Sequence, residues 1–286
     1  MDISRNIRTD LASEAHRMLK NGRRDLSPLP GIETKEEVKN GSTLFRVRVL
    51  DERGAKALGK PVGAYCTFEA ERFFPRGDER FVSLAETLAS VIREMLGNSN
   101  GATLVVGLGN TDITPDALGP AAARFVFPTR HLKRSGQTLF EHFSEVAVCA
   151  PGVLASSGIE SARQVEALCR EIQPERVLVV DALAGADPGR LCRCVQISDS
   201  GIAPGSGVGN DRAPLSQETL GRPVFAIGVP TVVDAAFFGD AAFQGWFVTP
   251  KSIDESMRCG ARLIGYAIDL ALHPGLTVDD VSALLE

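Results

Sequence analysis

From residue 102 onward the chain repeats one alternation. A short apolar run is followed by a polar or glycine-rich turn, and often then by apolar positions three and four apart. The runs are "ATLVVGLGN" (102–110), "EVAVCAP" (145–151), "ERVLVVDAL" (175–183), "RCVQIS" (193–198) and "RPVFAIGVP" (222–230). The stretch "GIESARQVEALCREI" (158–172) has helical spacing. Runs apolar on both faces, separated by helices, predict buried strands of a mostly parallel central sheet flanked by helices. "TPKSIDESMRCGARLIGYAIDLAL" (249–272) predicts a long helix, with Thr249 or Ser252 as its cap.

The first hundred residues follow a different pattern. Residues 10–20 read as a short helix capped by Thr9 or Asp10, and "NGRRDLSPLPG" breaks it. "STLFRVRVLD" (42–51) alternates apolar and charged positions, as a half-exposed strand does, and "GAYCTFEA" (63–70) reads as a second strand. "SLAETLASVIREMLG" (83–97) is an amphipathic helix with Gly97 at its C-cap. These elements make an N-terminal β-rich elaboration. No repeat, low-complexity stretch or clear linker divides the chain, so the expectation is one α/β domain.

Composition narrows the function. The 286 residues are 44% hydrophobic, enough for a sizeable core, and the net charge of −5 comes with no basic block. Direct nucleic-acid binding is therefore not expected. The N-terminus has no apolar leader, and prolines and Asp234 interrupt the longest apolar stretch, so neither a signal peptide nor a membrane span is expected. Six cysteines form no C-x-x-C pair and read as reduced thiols. The four histidines, His16, His131, His142 and His273, have no metal-binding spacing, so surface or core roles are expected for them.

Ligands of parallel sheets bind beyond the carboxyl ends of the strands. Asp116, in "GLGNTDITPDALGP" (107–120), and Asp181, after "RVLVV", both fall there, 65 residues apart. On neighbouring strands they would face each other. Two carboxylates in a partly dry site share one proton, which suits acid–base activation of water at a peptide carbonyl. The same residues also fit plain structural roles, Asp116 capping a helix and Asp181 binding loop amides. Asp199 and Ser200, in "ISDSGIAPGSGVGN" (197–210), follow another strand, so the pairing is not forced. Asn110, Gly205 and Ser206 are further candidates for the cleft lining. "PGSGVGN" does not fit the dinucleotide fingerprint, and Ser206 has no G-x-S-x-G frame.

Several motifs taken in order carry a family resemblance: "VVGLGNTDITPDALGP", "TRHL" (129–132), "PGVLASSGIES", "VDALA", "ISDSGIAPGSGVGN" and "ETLGRPVFAIGVPTVVDA". Together they resemble the germination proteases of spore-forming bacteria. The "GLGN" of peptidyl-tRNA hydrolases opens the chain and is followed by Pro-Gly; here it starts at Gly107 and Thr-Asp follows. The resemblance implies an aspartic-type endopeptidase that degrades small acid-soluble spore proteins during germination, with Asp116 and Asp181 matching the family's proposed catalytic pair. It implies a fold similar to hydrogenase maturation endopeptidases, no cofactor, a location in the forespore or spore core cytoplasm, and a homo-oligomer, a tetramer in relatives. It also implies an inactive precursor that removes its own N-terminus. Asp10-Leu11-Ala12-Ser13-Glu14 fits the family's cleavage pattern, placing the cut between Asp10 and Leu11, with a pro-segment over 1–10 and a peptidase domain over 11–286. The chain departs from the family between "VPTVVDA" and "VTPK". Only "AFFGDAAFQGWF" (236–247) stands where relatives usually carry a long insert, so the C-terminal region about 236–286 is short. That departure keeps a second reading in view, a non-catalytic binder or regulator of spore proteins.

Overall fold

In the computed structural model, described for residues 9–22, 29–99, 101–136, 138–205, 209, 212–238, 243 and 245–285, two kinds of strand share one sheet. The antiparallel part comes first. Helix α1 (Ala12–Asn21) precedes a hairpin of β1 (Ile32–Lys39) and β2 (Ser42–Val49). Asn40 and Gly41, both at positive φ, make its two-residue turn. Helix α2 (Glu52–Leu58) starts on the Asp51 side chain, which accepts the Arg53 and Gly54 N–H groups. Strand β3 (Gly63–Glu69) then pairs antiparallel with β2.

Helix α3 (Glu79–Leu96) leads into the second part and ends at Gly97, as its sequence predicts. Strand β4 (Thr103–Gly107) is followed by a 3-10 turn (Thr114–Asp116) and the short helices α4 (Leu118–Ala123) and α5 (Arg130–Arg134). Next come β5 (Val146–Cys149), α6 (Leu154–Ser157), α7 (Ser161–Ile172), β6 (Arg176–Gly185) and β7 (Cys194–Ser198). Helix α8 (Gln217–Leu220), β8 (Val224–Asp234), β9 (Phe247–Val248), α9 (Ile253–Leu272) and α10 (Val278–Leu285) complete the described chain. The strand order is β1-β2-β3-β7-β8-β6-β4-β5, and β9 adds to the end of β8.

The expected parallel sheet is the block β8-β6-β4-β5, in which every neighbouring pair is parallel. Strand β7 runs antiparallel to both β8 and β3 and so joins this block to the N-terminal hairpin. The link from β6 to β7 is too short for a helical crossover, so the chain reverses there. Helices α3, α4 and α9 cover one face, where Phe81, Leu88, Leu118, Leu263 and Tyr266 meet Val105, Leu178 and Val180. On the other face α7 lies over β4 and β6, and α1 lies over β2 and β3. No helix among the described residues is long and apolar enough to cross a membrane.

Two caps differ from expectation. Helix α1 starts at Ala12, and its N-cap position is Leu11, whose apolar side chain cannot accept a capping hydrogen bond. The Gln196 carboxamide of β7 accepts the Ala12 N–H at 2.7 Å and Thr9 Oγ1 accepts the Leu11 N–H at 3.0 Å. Ser252 stands at the N-cap of α9 without a side-chain bond, while Thr249 donates to the Thr231 carbonyl.

Candidate active site

The site is built where β4 stops and β6 continues. Gly107 and Val180 are the last paired residues of those strands, so Asp181 is the first residue of β6 with no partner on that side. It lies within the strand rather than after it, because pairing with β8 carries β6 on to Gly185. The loop leaving β4 fills the vacated flank and brings in Asp116.

Two glycines let that loop close. Gly109 has φ +126°, and a Cβ there would stand 1.8 Å from the Asp116 carbonyl oxygen. A Cβ on Gly119 would stand 2.2 Å from the Leu108 carbonyl and 2.4 Å from that of Val180. The bare backbone thus lets the turn and α4 sit directly against the strand ends. The Asn110 N–H donates to both the carboxylate (2.9 Å) and the carbonyl (3.1 Å) of Asp116, and Thr231 Oγ1 holds the Pro115 carbonyl at 2.7 Å.

Asp116 and Asp181 border one cavity of about 490 Å³, together with Asp10, Gly205, Arg212 and Thr231. Asp181 is 5% exposed, and among the described residues its carboxylate accepts only its neighbour's N–H, from Ala182 at 2.9 Å. Burial first and then the charge of Asp116 push its pKa up to about 8; the Ala182 amide pulls it down, Asp10 adds a smaller push and Arg212 a smaller pull. Burial also raises Asp116, opposed by the Asn110 hydrogen bond and by Arg212. Near neutral pH Asp181 therefore keeps its proton.

The other candidates lie around this centre. Asp199 and Ser200 border a neighbouring cavity of about 700 Å³, which shares Asp10, Asp181 and Gly205 with the first. Because β7 runs backwards, Asp199 ends three residues below the level of Asp181, where its carboxylate accepts the Ala64 N–H at 2.7 Å. Asn110 acts on Asp116 through its backbone, while its side chain accepts the Asp112 N–H. Ser206 lies outside the described residues. Among the described residues no three His, Cys, Asp or Glu side chains converge as a metal site.

The pattern of charges and apolar runs did not single out Arg212, Lys60, Arg190 or Gln196. Lys60 donates to the Thr9 carbonyl at 2.8 Å, and burial lowers its pKa against the pull of Asp10 and Glu14. Gln196 did carry a signal, as the one amide inside the apolar run "RCVQIS".

The stretch Asp10–Glu14 is held inside the protein beside these carboxylates. Leu11 and Ala12 are fully buried, and Glu14 is 3% exposed. The Asp10 N–H donates to the Ala184 carbonyl at 2.8 Å, and its carboxylate accepts the Ala184 N–H at 2.9 Å.

A sequence model of the family described as germination protease matches residues 10–244. The chain belongs to the germination protease family. A germination protease of Caldanaerobacter subterraneus subsp. tengcongensis is 38% identical over the whole of both chains, in an alignment of 328 residues. One of Bacillus mycoides is 42% identical over 82% of this chain and 65% of its own. The first alignment is longer than this chain, so that relative carries residues that are lacking here. A crystal structure of a NiFe hydrogenase maturation protease from Thermococcus kodakarensis has 20% identity and a TM-score of 0.35, covering 62% of this chain and 98% of its own. Membership in the germination protease family makes the chain a peptidase.

Proposed function

We propose that the chain is a self-processing aspartic endopeptidase that begins the degradation of small acid-soluble spore proteins in the germinating spore. The observation that carries this reading is the unequal carboxylate pair on one cavity, Asp181 buried with its pKa pushed up to about 8 and Asp116 nearer solvent. In this reading Asp116 takes a proton from a water as it attacks the peptide carbonyl, and Asp181 donates its proton to the carbonyl oxygen. Collapse of the tetrahedral intermediate returns a proton to the leaving amine. Arg212 limits the repulsion between the two acids without cancelling it. Asp10, on the acid side of the bond that fits the family's cleavage pattern, borders the same cavity, which supports cutting within one chain.

The purified protein, held at mildly acidic pH, is expected to shorten to a species starting at Leu11, read by N-terminal sequencing. It is also expected to cut a peptide containing "TEFASE". Asp116→Asn and Asp181→Asn are each expected to abolish both events, and full processing in either variant would sink the pair. Peptide binding with no cleavage at any pH would instead support the non-catalytic reading.

A further inference from the structure

Asp181, Gly228, Gln196 and Thr67 form one row across four strands. Asp181 pairs with Gly228, Gly228 with Gln196, and Gln196 with Thr67. Directly paired residues project to the same face, and adjacent strands are about 4.8 Å apart, so the row runs roughly 14 Å from Asp181 to Thr67. Residues 10–13 lie along it, in order. Asp10 exchanges hydrogen bonds with Ala184, beyond Asp181 on β6. The Gln196 carboxamide donates to the Asp10 carbonyl at 3.0 Å and accepts the Ala12 N–H at 2.7 Å, so it grips the backbone on both sides of Leu11. Thr67 donates to Ser13 Oγ at 3.0 Å.

The side chains of the segment are read as well. Leu11 packs on Leu183, Cys194 and Ile202. It has room because Gly228 carries no side chain, and a Cβ there would come 2.4 Å from Leu183 Cγ. Glu14 accepts the Ala186 N–H at 2.6 Å and faces Arg190, 3.7 Å away and 6% exposed. Arg190 also donates to Ser13 Oγ at 3.0 Å and, through its other Nη, to the Glu69 carboxylate, so Glu14 and Glu69 share it. A buried guanidinium facing a buried carboxylate is costly to assemble for packing alone.

We propose that this row is the substrate-reading site of the peptidase, and that residues 10–14 occupy it as a copy of the substrate. This rests on the reading of Asp10–Leu11 as a cleavage signal. A second chain with an acid, a large apolar residue, Ala, a small residue and Glu displaces the segment and takes the same partners. Gln196 then holds the carbonyl of the bond to be cut and positions it beside Asp181. Leu183, Cys194 and Ile202 seat the apolar residue, and Arg190 with the Ala186 amide selects the Glu. The segment in place is a competitor in cis.

The test reads binding, not cleavage, so that it stands apart from the catalytic assignment. The full chain with Asp181→Asn is titrated against a fluorescent peptide of residues 8–15, "RTDLASEA", by anisotropy. Adding Leu11→Ala to the protein weakens the internal competitor and is expected to raise peptide affinity at least tenfold. Adding Gln196→Leu or Arg190→Met to the Leu11→Ala protein, where the weakened competitor no longer masks the loss, is expected to lower its peptide affinity at least tenfold. Changes in the peptide cannot misfold the protein. A peptide with Gln in place of its Glu is expected to bind at least tenfold more weakly to the Asp181→Asn chain, yet equally with its parent to the Arg190→Met chain. Unchanged or weaker binding in the Leu11→Ala protein would overturn the proposal, as would no binding to any variant, or no discrimination between the two peptides. Autoprocessing at Leu11 without these trends would leave the aspartate pair standing and remove only the reading row.

Discussion

Asp181 carries a cost that can be measured without any substrate. Its carboxyl titrates near 8 in the folded protein, against an ordinary value of 3.8. A raised carboxyl pKa means that the folded state binds more protons than the unfolded state between those values. Stability is therefore greatest below the ordinary value and is lost as pH rises towards 8, by about 1.4 kcal/mol per pH unit. Asn resembles the neutral acid in shape and does not titrate. Asp181→Asn and the parent should thus be similar in stability near pH 4. The variant should then gain on the parent by about 3 kcal/mol between pH 5 and pH 7. Urea unfolding at several pH values, with intact mass confirming full length, reads this as a widening gap in midpoint at constant slope. Asp269 is raised by burial to about 8 in the same way, but it is present in both proteins and cancels in the difference. Parallel stability curves for the two proteins would refute the buried, protonated Asp181, and the division of labour between the acids with it.

Further expectations follow from the same geometry. Cleavage should fall as pH rises through about 8, when Asp181 loses its proton, and fall again in acid as Asp116 gains one above the ordinary carboxylate range; a flat pH–rate profile from 5 to 9 would contradict the pair. Gly109→Ala combines φ +126° with a Cβ 1.8 Å from the Asp116 carbonyl, so it should cost on the order of 3 kcal/mol in urea unfolding and lower processing; a change under 0.5 kcal/mol would refute the close approach. Trp246 is 65% exposed, so Trp246→Ser should change the midpoint by no more than about 0.5 kcal/mol; a larger loss would show that this surface is covered in solution.

The strands that carry the site were legible because they are buried on both faces. Strands β4, β6 and β8 stand where their apolar runs predict, and β4 and β6 are neighbours, as facing carboxylates require. Strand β1 escaped notice because it is a charged edge: most of "IETKEEVK" is exposed, and the Asn40–Gly41 turn was its clearest signal. Asp199 looked equivalent to the other two acids because direction cannot be read from a strand's composition. Once β7 is seen to run antiparallel, its carboxyl end falls away from the crest. Arg190 and Lys60 were illegible for a different reason. Their partners, Glu69 and Glu14 for Arg190 and the Thr9 carbonyl for Lys60, are far away in sequence, and only the folded sheet brings them together.

The N-terminal stretch shows how one feature can serve two ends. As a helix start it is poorly equipped, since Leu11 offers no cap and the first free amides are met by Thr9 and by Gln196 from across the sheet. A helix needing only a stable N-terminus would gain as much from Ser or Asp at that position, at a benefit of about 1 kcal/mol. Leu11 instead fills an apolar seat, and its full burial stabilises the docked segment by roughly 2 kcal/mol. The segment is thus held by partners that would accept any chain of the same pattern, next to an acid kept protonated partly by Asp10 itself. Removing the segment would take that charge away from Asp181 and free Gln196 at the same time. Occupancy of the row and the acidity of the pair are therefore coupled through a single residue, Asp10. Asp10→Asn should separate them: it keeps a polar side chain facing the Ala184 amide, and it should lower the Asp181 pKa and shift the alkaline limb of cleavage of an added peptide to lower pH.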